Sequence, residues 1–162
     1  MTRQTGYVRI YLPATLLDLV PWEGATPAPL APRRAHAVTP GLRELFPEEG
    51  DEGLEYAALL AAADDSLELL RATPAAPPLR LVLAADVPAH VVTGVDDDDS
   101  APSAVDVAVA VEWDAIACGH VDEPAAEPDI VAALVGNAAA VEHLDERDLL
   151  WYDASELDAI PR

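Results

Sequence analysis

The chain has 162 residues, 51% of them hydrophobic, and its 30 acidic residues outnumber 9 basic ones to give a formal net charge of −21. All nine basic residues are arginine, which excludes a phosphate-loop lysine, a pyridoxal phosphate Schiff base and a lysine nucleophile within this chain. The acidity opposes contact with nucleic-acid phosphates and with anionic membranes, so we predict that neither is a partner.

Length and hydrophobic content predict a single domain over residues 1–162, with no segment apolar enough to span a bilayer. The one cysteine, Cys118, cannot form an internal disulfide, so nothing indicates an oxidising compartment and we predict a cytoplasmic protein. The acidity has two interpretations. It is either a surface charge that maintains solubility, which we favour, or a functional surface, namely an acidic decoy for a nucleic-acid-binding protein or a surface that collects cations.

The segment "YVRIYLPATLLDL" (7–19) has the features of a strand followed by a helix, and also some features of an export signal. An export signal needs an unbroken apolar core, which Pro13, Thr15 and Asp18 interrupt. Apolar residues at every second position from 8 to 12 are typical of a strand, and Thr15 with Asp18 has the spacing of a capping box. We therefore predict a strand and a short helix.

The next segments contain a loop, a second strand and two helices. The proline-rich stretch 23–34 predicts a surface loop, and residues 35–40 predict a strand that ends at Thr39, the N-cap of a short helix with Pro40 at its first position. Three- and four-residue spacing of apolar residues predicts an amphipathic helix from Asp51 to Arg71. Its predicted apolar face comprises Tyr56, Leu59, Leu60, Ala63, Leu67 and Leu70.

The remaining chain alternates strands and helices. "LRLVLAA" (79–85) is apolar on both faces, as a covered central strand would be, whereas "VDVAVAVE" (105–112) alternates and predicts a strand with one face toward solvent. An acidic loop, 93–103, separates them. A helical turn at "WDAI", a strand over 117–121, a helix from Pro128 to about Ala140, a strand over 149–153 and a final turn complete the layout.

The two halves of this layout, 7–92 and 104–160, share the order strand, short helix, strand, long helix, strand. We predict an α/β or α+β fold in which a mixed sheet is covered by helices. The shared order also suggests two pseudo-repeated βαβαβ (ferredoxin-like) halves.

Five blocks carry a family resemblance: "VRIYLPATLLDL", "AHAVTPGLREL", "LEYAALLAAADDSLELL", "VLAADVP" and "LLWYDASEL". In order and over nearly the whole chain, they resemble the recurring blocks of a family of short acidic actinobacterial proteins classed as a domain of unknown function. The resemblance implies a bacterial, intracellular origin and carries no activity. The "DDDDS" loop and the residues before Tyr7 look like additions to the family pattern.

The search for catalytic groups predicts no catalytic, cofactor-binding or metal-binding residue. Cys118 and His120 fall on one side of a predicted strand, but neighbours two apart on a strand rarely align for proton transfer, so we favour a buried thiol over a Cys–His dyad. His120 and Asp122 lie at a strand end, where they either cap a turn or join a metal site whose other ligands come from elsewhere.

Aromatic and arginine side chains form the best candidate for a binding surface. If helices cover the face that carries Tyr7, Arg9 and Tyr11, the tyrosines are core and Arg9 pairs with an acid; otherwise this stripe is an exposed patch suited to protein contact. The same reasoning places either Trp151 or Tyr152 on a surface. The candidate binding surface comprises Tyr7, Arg9, Tyr11, His36, His120, Asp122 and Trp151.

We therefore predict a non-catalytic module that binds another protein or a small ligand, with no cofactor and with an oligomeric state that the sequence leaves open. Two alternatives remain. One is a small enzyme with a dispersed site built from His36, His120 and carboxylates, and the other is the acidic decoy.

Overall fold

The computed structural model describes residues 6–20 and 27–161, and in these residues seven strands form one sheet in the order β4-β5-β2-β1-β3-β6-β7. All neighbouring strands are antiparallel. The strands are β1 (Tyr7–Ala14), β2 (Arg33–His36), β3 (Leu81–Pro88), β4 (Val92–Gly94), β5 (Ala104–Val107), β6 (Ile116–Val121) and β7 (Leu150–Asp153). The α-helices are α1 (Pro40–Leu45), α2 (Asp51–Ala72), α3 (Glu127–Leu134) and α4 (Ala138–Asp145).

The predicted combination of one sheet with helices is confirmed in its α+β form. The repeat of two ferredoxin-like halves is not confirmed. In the first half β1 lies between β2 and β3, whereas in the second half β5 lies four places away from β6 in the sheet, beyond β2, β1 and β3.

Helix α2 covers the centre of one sheet face, and its buried stripe differs from the predicted one. The stripe follows a four-residue step that includes two alanines and a serine, and small side chains let the helix lie close to the sheet. Tyr56 and Leu60, which we predicted on the apolar face, are 50% and 38% exposed. The stripe consists of Leu54, Ala58, Ala62, Ser66 and Leu70. Leu59 and Ala63 are buried beside it, so the prediction was correct for Leu59, Ala63 and Leu70.

Ser66 ties α2 to the sheet by two hydrogen bonds from one buried hydroxyl. Its Oγ donates to the carbonyl oxygen of Ala14 in β1 at 2.7 Å and accepts from the backbone N–H of Leu81 in β3 at 3.0 Å. Ser66 has no exposed surface. The hydroxyl therefore satisfies two backbone groups that the helix shields from water.

The opposite sheet face is closed by 3₁₀ helices and connecting segments. The largest apolar cluster lies here, and strand residues such as Leu12 and Leu83 pack in it with Leu16, Leu30 and Leu157 from those segments. Leu30, which we predicted in a surface loop, is 2% exposed and forms a β-bridge with Val111. Residues 23–26 of that loop lie outside the described residues. The 3₁₀ helices are Leu16–Leu19, Ala89–Val91, Trp113–Ala115, Pro124–Ala126 and Ala154–Ala159.

Thr39 and the covered strand were predicted accurately. Thr39 caps α1 by accepting a hydrogen bond from the backbone of Leu42, with Pro40 at the first helical position. The covered strand is β3, whose residues 81–85 are buried. The predicted strand over 105–112 ends at Val107, and the predicted loop that begins at Thr93 starts inside β4.

The predicted helix over 128–140 is instead two helices. It breaks at Gly136, whose φ of +87° lies in the left-handed region that glycine occupies without strain. Asn137 then restarts the helix, because its side chain accepts a hydrogen bond from the backbone of Ala140. The apolar spacing continues across this glycine, which is why the periodic pattern predicts one helix where the chain forms two.

Of the helices in the described residues, none combines the length and apolarity that a membrane crossing requires.

Candidate functional site

Six of the seven predicted surface residues share one face of the sheet, the face on which α2 lies. The antiparallel register aligns Tyr11 with His36, and His120 with Trp151. Alternation along β1 puts Tyr7 and Arg9 on the same face as Tyr11. The structure thus brings this set together on one side, but it distributes the members between the part that α2 covers and the part that it leaves open.

Tyr11 lies in the covered part, where it is 5% exposed, so the interpretation of this residue as core holds. Its hydroxyl donates a hydrogen bond to Glu55 Oε2 at 3.1 Å. Burial, together with the negative charge of Glu55, raises the pKa of Tyr11 to about 12. Tyr7, four residues earlier on the same strand, is 72% exposed and lies on the surface.

The raised pKa of Tyr11 predicts a loss of stability in alkali. A phenol whose pKa is about 12 in the folded chain, against about 10 when unfolded, stabilises the fold below pH 10 and ceases to do so as the pH rises toward 12. Denaturant unfolding of the wild type and of Tyr11→Phe, measured between pH 9 and 12, should show the wild type losing stability relative to the variant. A constant difference over that range would contradict the prediction.

Arg9 lies at the border of the open part and is bound to a carboxylate. Its Nε donates to Asp86 Oδ1 at 2.8 Å and its Nη2 donates to Asp86 Oδ2 at 3.1 Å. The register places these two residues directly opposite each other on β1 and β3. The pair is half-exposed, so it orients both side chains on the surface and contributes little to stability.

Cys118 and His120 lie side by side, with Sγ 3.7 Å from Nε2. Burial raises the pKa of the Cys118 thiol, an effect that a hydrogen bond from Trp151 and the charge of Arg9 only partly offset. Burial and the charge of Arg9 lower the pKa of His120. Both groups are therefore neutral near pH 7, whereas a nucleophilic cysteine needs a thiolate beside an imidazolium.

Trp151 is the large exposed side chain of this region, at 59% exposure. It lies beside His120 across the β6–β7 pair, and Asp153 follows two residues later on the same face. We call the surface formed by Arg9, Asp86, His120, Trp151 and Asp153 the Trp151 face. It combines an aromatic ring with two carboxylates and one guanidinium.

His36 lies in a different setting, in a hydrogen-bonded chain with Ser103 and Asp65. Its Nδ1 is 2.8 Å from Ser103 Oγ and its Nε2 is 2.6 Å from Asp65 Oδ2. The order of groups is that of a Ser–His–Asp triad, but Ser103 is 2% exposed and the Asp65 end reaches solvent. A substrate cannot reach the hydroxyl. These hydrogen bonds therefore hold Asp65 in position and do not activate a nucleophile.

Asp122 is also buried, at 2% exposure, and adds no surface. Its Oδ2 accepts from both the backbone N–H and the Nε of Arg80, at 2.8 and 2.9 Å, and its Oδ1 accepts from Arg80 Nη2 at 2.8 Å. The prediction that Asp122 belongs to a binding surface is therefore wrong, because its carboxylate neutralises a buried arginine.

The partners of these residues were not found from the sequence. Asp86, Glu55, Ser103 and Asp65 are 29 to 77 positions away along the chain from the residues that they contact. A polar residue that lies so far along the sequence from its partner adds nothing to the local hydrophobic pattern, so the pattern does not reveal the pairing. In the described part of the chain, no group of three or more His, Cys, Asp or Glu side chains is placed to hold a metal ion.

Comparison with known proteins identifies the family of this chain. The model of DUF6912, a family of unknown function, matches residues 8–160. The chain belongs to DUF6912. The match covers nearly every described element. It confirms the predicted resemblance to a domain of unknown function. The actinobacterial origin remains a prediction. No curated protein and no solved structure matches the chain.

Proposed function

We propose that this DUF6912 protein is a non-catalytic binding module that contacts a basic protein through the Trp151 face. The observation that carries the proposal is the exposure of Trp151, 59% of whose surface is open on a strand that pairs with β6 along its length. Large aromatic side chains are enriched at protein interfaces, where burial of the ring contributes much of the binding energy.

Charge indicates the chemistry of the partner. The chain carries a net charge of −21, and Asp153 lies two residues from Trp151 on the same face of β7. Asp86, also on the Trp151 face, is paired with Arg9. An arginine or lysine side chain is attracted to the face of a tryptophan ring and to neighbouring carboxylates. A basic partner is also drawn to an acidic protein over a longer range.

Two features support binding rather than catalysis. Cys118 and His120 are both held neutral, so the pair lacks the charge state of an activated nucleophile. His36 and His120 lie on β2 and β6, which are three strand spacings apart in the sheet, or about 14 Å. The alternative of a site assembled from these two histidines therefore lacks geometric support.

Binding of a defined basic peptide tests the proposal. Hexa-arginine, titrated into ¹⁵N-labelled protein at moderate salt, should shift the indole resonance of Trp151 and the amides of β7, whereas hexa-glutamate should not. Trp151→Ala should weaken hexa-arginine binding at least tenfold, because the ring supplies both apolar contact and cation–π attraction.

The matched control is Phe46→Ala, which removes an aromatic ring that is 42% exposed at the end of α1. This variant should bind as the wild type does. If Trp151→Ala also binds as tightly as the wild type, the peptide is attracted by overall charge alone, and the assignment of the Trp151 face is wrong.

A further inference from the structure

Strand β7 lies at one edge of the sheet, where β6 is its neighbour on one side. An edge strand presents backbone N–H and C=O groups on its other side, and most proteins protect such an edge with charge, proline or bulges. The other edge strand, β4, has three residues and is followed by four consecutive aspartates, residues 96–99. In contrast, residues 149–152 read Leu-Leu-Trp-Tyr, so β7 lacks proline and charge along most of its length.

The direction of the β7 backbone follows from a hydrogen bond on the far side of β6. The N–H of Asp122 donates to the carbonyl oxygen of Arg80 at 3.2 Å, so the backbone of Asp122 faces β3. Successive residues of a strand direct these groups to opposite sides, so the backbone of Val121 faces β7. The register pairs Val121 with Leu150. Trp151, the next residue, therefore directs its N–H and C=O away from β6.

The end of β7 agrees with this assignment. The N–H of Asp153 donates to Glu156 Oε1 at 3.0 Å and not to β6. Asp153 lies two positions after Trp151, so the backbone groups of both residues face the outer side of the sheet. Among the described residues, no group forms a hydrogen bond with Trp151 on that side. Trp151 thus presents an open backbone donor and acceptor in addition to its exposed ring.

The charge around β7 indicates what can pair with this edge. Residues 145–158 contain six carboxylates and one arginine, Arg147, which is paired with Glu123 and Asp129. Within the described residues, none of the six carboxylates forms an ion pair. Pairing of β7 with a second copy of itself would bring two such acidic segments together, which like charges oppose. A basic segment is complementary to this edge.

We propose that the basic partner of the Trp151 face adds an extended strand to β7, in the antiparallel orientation that pairs more stably. This inference rests on the proposed function and specifies how the partner binds. The partner residue opposite Trp151 exchanges two backbone hydrogen bonds with it, and the side chains of both lie on the same sheet face. A basic side chain at that position contacts the indole ring.

The alternation of a strand gives the partner a sequence pattern. Every second residue of the added strand shares the Trp151 face, where basic side chains are favoured. The intervening residues lie on the opposite face beside Leu150, which is 40% exposed, and Tyr152, which packs against the core. Apolar side chains suit those positions. The partner segment therefore alternates basic and apolar residues.

An alternating peptide, acetyl-Arg-Val-Arg-Val-Arg-Val-amide, tests the strand addition. At saturation it should slow deuterium exchange at the backbone amide of Trp151 at least tenfold, because the peptide accepts a hydrogen bond from this amide. The amide of Gly94 is the matched control. Ala108 donates to the carbonyl of Val91, so alternation directs the Gly94 amide outward at the other edge of the sheet. Its exchange should not change.

Methylation of the peptide backbone separates strand pairing from contact with the ring. In the antiparallel register the arginine N–H groups face β7 and the valine N–H groups face away. Methylation of the arginine nitrogens should weaken binding at least tenfold, because it removes the donors that pair with β7. The peptide methylated at the valine nitrogens is the matched control and should bind as the parent does.

The outcomes distinguish this inference from the proposed function. If hexa-arginine binding depends on Trp151 but both methylated peptides bind as tightly as the parent, side chains alone hold the partner and the strand addition is wrong. The strand addition is also wrong if the alternating peptide does not bind or leaves the Trp151 amide unprotected. If neither hexa-arginine nor the alternating peptide binds, the proposed function fails and this inference fails with it.

Discussion

Asp122→Asn is expected to lower the free energy of unfolding by about 3–5 kcal/mol, because it leaves the Arg80 guanidinium buried without a counter-charge. The side chains of Arg80 and Asp122 are 5% and 1% exposed, and three hydrogen bonds of 2.8–2.9 Å join the two residues. Urea unfolding followed by circular dichroism measures the change.

Asp86→Asn is the matched control, since it breaks an arginine–aspartate pair of similar geometry that is half-exposed. It should cost less than about 1 kcal/mol, because water replaces the lost partner. The double variant Arg80→Met/Asp122→Leu should recover part of the loss, because it removes both charges instead of stranding one. Equal losses in Asp122→Asn and Asp86→Asn would show that burial does not determine the effect.

Ser66→Ala is expected to lower the free energy of unfolding by about 2–3 kcal/mol. The hydroxyl donates to Ala14 and accepts from Leu81, and its removal leaves both backbone groups without this partner in a fully buried position. The substitution removes one oxygen atom and creates no large cavity, so the loss reports on the hydrogen bonds. Thermal and urea unfolding would measure it.

Ser155→Ala provides the comparison for Ser66→Ala. Ser155 also makes a side-chain hydrogen bond, to Asp153 at 2.7 Å, but it is exposed at the start of the last 3₁₀ helix. Its loss should cost less than about 1 kcal/mol, because water takes over the released group. A loss below about 0.5 kcal/mol in Ser66→Ala would mean that the buried backbone groups find other partners.

Local chemistry explains the elements that were predicted well. Thr39 and Pro40 mark the start of α1, and the continuous apolar run of β3 marks a strand buried on both faces. These signals depend on neighbours within a few positions, so they can be read without knowledge of the fold. Gly136 is such a local signal too, but apolar residues at helical spacing on both sides of it obscure the helix end.

The buried stripe of α2 shows where local pattern is insufficient. Periodicity identifies the helix, but several faces of it carry apolar residues. The choice of the stripe that contains Ala58 and Ala62 depends on how closely the helix approaches the sheet. Tyr56 is too large for that approach and lies at the flank, 50% exposed.

The candidate site likewise has some properties that the sequence determines and others that depend on the tertiary structure. Sequence by itself determined that the chain is acidic and free of lysine, that it contains a sheet and helices, and that Arg9 and Tyr11 share one side of a strand. Those properties follow from composition and from the two-residue period of a strand.

Only the tertiary structure decided which residues became surface and which became buried partners. Strand order places Trp151 on an open face, whereas Asp122 is buried against Arg80 and His36 against Asp65 and Ser103. Contacts between residues dozens of positions apart depend on how the elements pack, and no short segment of sequence encodes that packing.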